Sequence, residues 1–321
     1  MSLVNVVHLY VTYETTPPIR AVTDVSLEVS EMTCLCIVGE SGCGKSSLAR
    51  AVGRILPPLG RVKGGEVYID GEEITKMDEK KLNREVRWKK YAIIFQNAAT
   101  SLNPFLRIED QITEVLTRHL GLSKEQAIHR SEEVLASVKF PVSRMRSYPH
   151  ELSGGMKQRV AIAIALACNP KLVIGDEIAT GLDVTTAAQI GVLLKDLVRD
   201  GLTLVLNTHD IGFATEIADK IAVMYAGRIV EISQTENWVK NPIHPYSIDL
   251  LASIPRSTDP DFKPKSIPGD PPRLSVDISG CPYAPRCKYA QSICNEKEPP
   301  MVSVGSGTAA CHFAGRLGES K

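Results

Sequence analysis

Long apolar runs are absent from this sequence: none reaches the roughly 18 residues that a membrane-spanning helix needs, so any membrane role has to come through a partner. Net charge is absent too, with 37 Lys and Arg against 37 Asp and Glu. That balance leaves no strongly basic face for nucleic acid and no acidic tail, so no nucleic-acid partner is expected. The first residues carry no basic segment followed by an apolar stretch and a small-residue cleavage site, which points to a cytosolic chain. No internal repeat is evident, and paired C-x-x-C spacing, common in zinc ribbons, is missing.

What is present begins with length. At 321 residues the chain exceeds what one core usually supports, so one large and one small domain are expected. Prolines crowd the segment beyond Asn241, a boundary signal, and the expected division is residues 1–240 and 241–321. Residues 4–13, 24–30 and the apolar run Cys34 to Val38 read as strands, followed by a helix from Lys45 to about Ile55. Residues 66–69 and 91–95 read as strands flanking a charged, helix-like segment from Asp78 to Lys90. Between about residues 100 and 168 apolar positions such as Ile112, Val115, Leu116 and Leu120 recur at helical spacing, which marks a helical insertion. Leu202 to Leu206 and Lys171 to Gly175 read as buried parallel strands joined by the amphipathic segment Val184 to Arg199. Residues 221–225 and 228–232, around Ala226-Gly227, read as a hairpin. Strand and helix alternate as an α/β fold requires.

Between the Cys34 to Val38 run and its following helix lies Gly39-Glu40-Ser41-Gly42-Cys43-Gly44-Lys45-Ser46, with Ser47 next. This pattern is a phosphate cradle. Glycines let successive backbone N–H groups approach phosphate oxygens, Lys45 adds charge and Ser46 offers an oxygen to Mg²⁺. The strand ending in Asp176-Glu177 complements it: Asp176 can hold Mg²⁺ and Glu177 can polarise an attacking water. Leu152-Ser153-Gly154-Gly155 precedes another helix-like run. Ser153 and the Gly154 and Gly155 amides there form a helix N-terminus that favours an anion.

Together these motifs resemble those of ABC-type ATPases, in their usual order. Tyr13 resembles the residue that stacks on adenine, Gln96 the Q-loop glutamine, Ser153 to Gly155 the signature, Gly181-Leu182-Asp183 the D-loop and His209 the switch histidine. The resemblance implies an ABC-type P-loop nucleotide-binding domain with an antiparallel β subdomain, the helical insertion and a small Cys-rich C-terminal domain. It implies ATP held by Tyr13, Gly39 to Ser47, Gln96 and Asp176, with Ser46, Gln96 and Asp176 on Mg²⁺. Glu177, His209, Lys45 and Gln96 are then the catalytic group. Two such domains pair head to tail in the family, so that each signature closes on the γ-phosphate of the other subunit. Where the family usually has Pro-Thr after the acidic pair, this chain has Ile178-Ala179, and Gly181 stands in the D-loop. Both changes free backbone torsions and are expected to loosen that loop.

Asn241-Pro242-Ile243-His244-Pro245-Tyr246, then Ile267-Pro268-Gly269-Asp270-Pro271-Pro272, and Thr100-Ser101-Leu102-Asn103-Pro104 resemble ATP-binding subunits of the dipeptide/oligopeptide import subfamily. That resemblance implies a second, different ATPase subunit, two transmembrane permease subunits, an external solute-binding protein and a peripheral place on the cytoplasmic face of the membrane. The solute expected is a peptide, or an oligosaccharide, nickel or glutathione. The alternatives are a soluble ABC-type ATPase outside transport, or a redox-sensing module.

Of eight cysteines, Cys34, Cys36, Cys43 and Cys168 lie scattered, whereas Cys281, Cys287, Cys294 and Cys311 crowd the last forty or so residues. In a reducing cytosol four clustered thiols are expected to hold metal rather than disulfides. They suit either tetrahedral Zn²⁺ or a 4Fe-4S cluster, and the unequal spacings suit a cluster whose irons are separate anchor points. The subfamily resemblance also implies the cluster, with a structural role.

Overall fold

The computed structural model describes residues 2–96, 101–254 and 265–317. Its strands in chain order are β1 Ser2–Tyr13, β2 Ile19–Ser30, β3 Cys34–Val38, β4 Gly60–Ile69, β5 Glu72–Glu73, β6 Tyr91–Ile94, β7 Leu172–Asp176, β8 Thr203–Asn207, β9 Lys220–Tyr225, β10 Arg228–Gln234, β11 Met301–Val304 and β12 Gly307–Ala310. The chain divides into two compact units: Met1–Asn5, Glu28–Cys34 and Val67–Leu206 in the first, Val6–Leu27, Leu35–Glu66 and Asn207–Lys321 in the second.

In the first unit β6 and β7 run parallel, Tyr91 opposite Leu172 and Ile94 opposite Gly175. Every residue of β7 is buried, as the apolar run over residues 172–175 demands of a strand covered on both faces, and Asp176 at its end is buried too. Helices Ile108–Leu120 and Lys124–Ser137 supply the insertion. The second starts with a full capping box, Ser123 and Gln126 each bonding the other's backbone N–H. Helix Gly154–Leu166 has no polar stripe, and Val160, Ala161, Ile162, Ala163 and Ala165 are all buried. The helix expected over residues 78–90 is shorter than its charge pattern suggested. One turn, Glu79–Lys81, passes into a π-turn, Leu82–Val86, after which Arg87 is extended and Trp88 has φ +68°.

In the second unit β3 runs parallel to β9, and β9 turns back on β10 through Ala226-Gly227. That is the expected hairpin. The tail continues the pattern: β12 pairs antiparallel with β10, Ala309 opposite Glu231, and β11 pairs with β12. Strand β2 starts at Ile19, five residues before the sequence pattern indicated. Buried Glu231 would be costly unpaired, but its carboxylate accepts the backbone N–H of Ile243 and of His244 and the Ser233 hydroxyl. The tail motif around His244 is thereby anchored to β10.

Candidate functional site

Strand β3 delivers the chain into the phosphate loop with every side chain of Cys34–Val38 buried. The loop's glycines are required by contact. A Cβ on Gly39 (φ +155°) would come 2.2 Å from the Met224 carbonyl oxygen, and one on Gly44 (φ +111°) 2.1 Å from that of Ala21. Both obstacles are backbone, so neither can swing aside. Helix Lys45–Val52 starts at Gly44 with no side-chain cap and no acidic residue in its first turn. Its first N–H groups and the positive end of its dipole are therefore left to an anion. Lys45 Nζ donates to the carbonyls of Gly39 (2.8 Å) and Glu40 (3.0 Å), which pins the ammonium over its own loop. Asn207, at the end of β8 and buried, donates to the Lys45 carbonyl at 2.8 Å. The motif reading missed Asn207, whose signal was a polar residue closing an apolar strand. Tyr13 and Ser47 share a hydrogen bond of 3.0 Å, which places the expected adenine-stacking ring beside the loop. His209 belongs to the same unit and is exposed, ahead of helix Ile211–Ile217.

The first unit gathers the remaining candidates. Asp176 closes β7 and is buried, and Glu177 follows with φ +52°, a left-handed conformation that costs a non-glycine residue about 1 kcal/mol. Such strain persists where the surroundings over-determine it. Gln96 Nε2 donates to Glu177 Oε2 at 2.8 Å, and the Thr180 hydroxyl donates to the same oxygen at 3.3 Å. The structure thus joins Gln96 and Glu177 directly, and Thr180 is a participant the sequence reading did not name. Ser153 caps helix Gly154–Leu166, its hydroxyl accepting the Met156 N–H at 3.4 Å, a long bond. A Cβ on Gly155 would lie 2.5 Å from the Thr186 methyl. Thr186 in turn donates to both oxygens of Asp183, through its N–H at 2.9 Å and its hydroxyl at 2.7 Å. Those two bonds hold the Asp183 carboxyl below the usual carboxylate range. Signature and D-loop therefore pack as one piece.

The ABC transporter family matches residues 22–180, and the oligopeptide/dipeptide transporter C-terminal region matches residues 230–294. The oligopeptide transport ATP-binding protein OppD of Salmonella typhimurium is 44% identical over 315 residues, 97% of this chain and 93% of that protein. This chain belongs to the ABC transporter family. It is an ABC-type ATPase, and ATP with Mg²⁺ is the family's cofactor pair. The dipeptide transport ATP-binding protein DppD of Caldanaerobacter subterraneus subsp. tengcongensis is 42% identical over 92% of this chain and 91% of its own. Among solved structures, the dimeric post-hydrolysis state of the cassette MJ0796 bound to ADP and Pi superposes with a TM-score of 0.65 at 31% identity, covering 72% of this chain and 98% of that one.

Against the usual ABC ATPase pattern, Ile178 and Gly181 were expected to loosen the D-loop. Ile178 is 3% exposed and lies against Gly175, where an added Cβ would meet its methyl at 2.9 Å, whereas Gly181 has φ +80° and open space around an added Cβ. The turn is closed by Thr180 N–H to Glu177 O (3.1 Å) and Leu182 N–H to Ala179 O (3.3 Å). Core packing thus holds the Ile178 side chain in place, while Gly181 keeps its open, left-handed turn.

In the tail, Cys281, Cys287, Cys294 and Cys311 line one small cavity with His244 and Tyr283. Burial, reinforced by the neighbouring thiols, pushes Cys281 and Cys287 up to about 11 and raises Cys311. Among the described residues no three His, Cys, Asp or Glu side chains are grouped to hold a metal ion. The four cysteines share a cavity, but the structure gives no support to the metal site expected of them. Cys34, Cys36, Cys43 and Cys168 are buried, as small core residues should be. Thr100 of the post-Q-loop motif lies outside the described residues, whereas Ser101 to Pro104 are described.

Proposed function

We propose that this ABC ATPase powers uptake of peptides, or of a related solute such as an oligosaccharide, nickel or glutathione, through a membrane permease. The observation that carries the reading is the 44% identity to an oligopeptide transport ATP-binding protein along nearly the whole chain, together with an intact acidic pair whose Glu177 is held by Gln96. Lys45 and the loop amides grip the phosphates, Tyr13 stacks on adenine, and Ser46, Gln96 and Asp176 serve Mg²⁺. Glu177 polarises the attacking water and His209 contacts the γ-phosphate. Ser153, Gly154 and Gly155 serve the nucleotide of a partner subunit. The dimeric cassette bound to ADP and Pi supports that pairing. Residues 1–240, with a helical part at about 100–168, form the ATPase domain and residues 241–321 a C-terminal domain.

The partners on this reading are a second, different ATPase subunit, two transmembrane permease subunits and an external solute-binding protein, with this chain at the cytoplasmic face. No helix among the described residues is long and apolar enough to cross a membrane, which supports peripheral attachment. Reconstitution with the permease and binding protein tests the function. ATP-dependent uptake of labelled peptides is expected, abolished by Glu177→Gln, and saturating hydrolysis with no peptide uptake would leave the ATPase and remove the peptide.

The four tail cysteines are assigned to a 4Fe-4S cluster. A cluster offers four separate irons as anchor points for four thiolates, and the support for this reading is that all four cysteines line one cavity. When bound, the cluster supplies folding energy that a small tail lacks. Iron and sulfide counted on anaerobically purified protein decide the matter. About four of each per chain is expected, and one zinc with no iron reverses the assignment to tetrahedral Zn²⁺.

A further inference from the structure

Glu40, the second residue of the phosphate loop, is tied to the tail by its side chain and its backbone. Both carboxylate oxygens are taken by Arg286, Nη1 to Oε2 at 2.6 Å and Nη2 to Oε1 at 3.0 Å. Its backbone N–H donates to the Tyr246 hydroxyl at 2.8 Å. The guanidinium has little freedom of its own. Its side chain is 4% exposed, Nε donates to the Pro268 carbonyl (2.8 Å) and Nη1 also to the Tyr225 hydroxyl (3.2 Å). The Tyr225 and Tyr283 rings lie 5.7 and 5.9 Å from it. Those rings form a cluster with Tyr246, with centroids 4.6 to 5.2 Å apart.

A bidentate arginine–carboxylate pair with a buried guanidinium is geometrically specific, since the planar fork fixes the carboxylate's position as well as its charge. Its reach extends past Glu40. The Glu40 carbonyl accepts from Lys45 Nζ and from the Cys43 N–H (3.0 and 3.3 Å), so displacing Glu40 displaces the ammonium and the far side of the loop. Phosphate recognition by backbone amides depends on their positions to within a fraction of an ångström.

We propose that Arg286 is a positioning residue for ATP: through Glu40 it sets the phosphate loop, so that the tail tunes the affinity for nucleotide without touching it. The proposal rests on the chain's being an ABC ATPase whose Gly39–Ser46 loop binds ATP, and it adds a residue outside the known motifs. It needs nothing of the group the cysteines hold.

The test is steady-state ATP hydrolysis by the assembled transporter carrying Arg286→Ala, Arg286→Lys or Glu40→Gln, with thermal unfolding of each full-length variant alongside. Glu40→Gln alters the same pair at the other end, away from the cysteines. The expected result is a KM for ATP raised about ten- to a hundredfold in Arg286→Ala and less in Glu40→Gln, with kcat largely kept. Arg286→Lys should fail to restore KM, because an ammonium cannot bind both oxygens in a fork. A merely structural arginine would lower the unfolding temperature or kcat and leave KM alone, and that outcome overturns the proposal. Should Arg286→Ala fail to assemble, Glu40→Gln decides by itself, and an unchanged KM there overturns it. If the wild-type complex shows no saturable ATP hydrolysis, the ATPase reading fails instead.

Discussion

Two glycine-bearing loops in this chain lead into helix N-termini, and they are built to different standards of stiffness. At Gly39 and Gly44 the space for a side chain is closed by the carbonyls of Met224 and Ala21. At Gly155 it is closed by a methyl group, that of Thr186. The helix after Gly44 has no side-chain cap, while the helix after Ser153 caps itself, through a hydrogen bond stretched to 3.4 Å. A cradle walled by backbone keeps one shape and depends on its own ligand to satisfy its N–H groups. A helix end walled by side chains is self-sufficient and adjustable, which suits the proposed role of closing on phosphate held by another subunit.

The strongest way to break this contrast is to add one carbon to each loop. Gly44→Ala should abolish nucleotide binding, and no substitution at Ala21 can rescue it because the clash is with backbone. Gly155→Ala should keep this chain's own ATP affinity and lower hydrolysis in the assembled transporter. Thr186→Ser, which deletes the obstructing Cγ2 and keeps the hydroxyl on Asp183, should restore it. Nucleotide titration and phosphate release measure the two effects separately. If Thr186→Ser gives no rescue, the signature is as rigid as the cradle.

Glu177→Gln isolates chemistry from grip. Turnover should fall by about 10² to 10⁴, the typical contribution of a group that activates water, while ATP still binds. Gln96→Ala removes the 2.8 Å bond to Glu177 and should cost less, because Thr180 still donates to the same oxygen. Near-wild-type hydrolysis by the Glu177 variant would take that residue out of its role.

The sequence disclosed what is local. The phosphate loop, the acidic pair at the end of β7 and the β9–β10 hairpin each lie within a few residues, where strand period, glycine spacing and turn chemistry leave few choices. What it hid is set by pairs far apart in the chain. Asn207 meets Lys45 across 162 positions and Arg286 meets Glu40 across 246. No period or spacing encodes such a pair, since each partner alone is an ordinary polar residue. The segment after Asp78 misled for a different reason. Its charged pattern fits a helix through Lys90, but helical propensity is weak, and the left-handed Trp88 with the Arg87–Tyr91 bridge turns the chain into β6 instead.

The smallest expected effect concerns the brace behind the adjustable loop. Thr186 donates its hydroxyl and its N–H to Asp183, and both bonds favour the ionised carboxyl, whose pKa is lowered in consequence. A carboxylate with a depressed folded-state pKa contributes its stabilisation above its unfolded value, near pH 4. That contribution is lost as pH falls through the lower folded value, where protonation weakens the hold on Thr186. Asp183 is exposed to solvent, so screening keeps the effect small. Asp183→Asn keeps an acceptor oxygen for the Thr186 N–H and removes the titration. Acid unfolding followed below pH 4 should therefore be shallower in the variant, with little difference between the two proteins at neutral pH. Identical acid limbs would mean that the D-loop brace carries no ionic component, and the stiffness of the signature end would then rest on the Thr186 methyl alone.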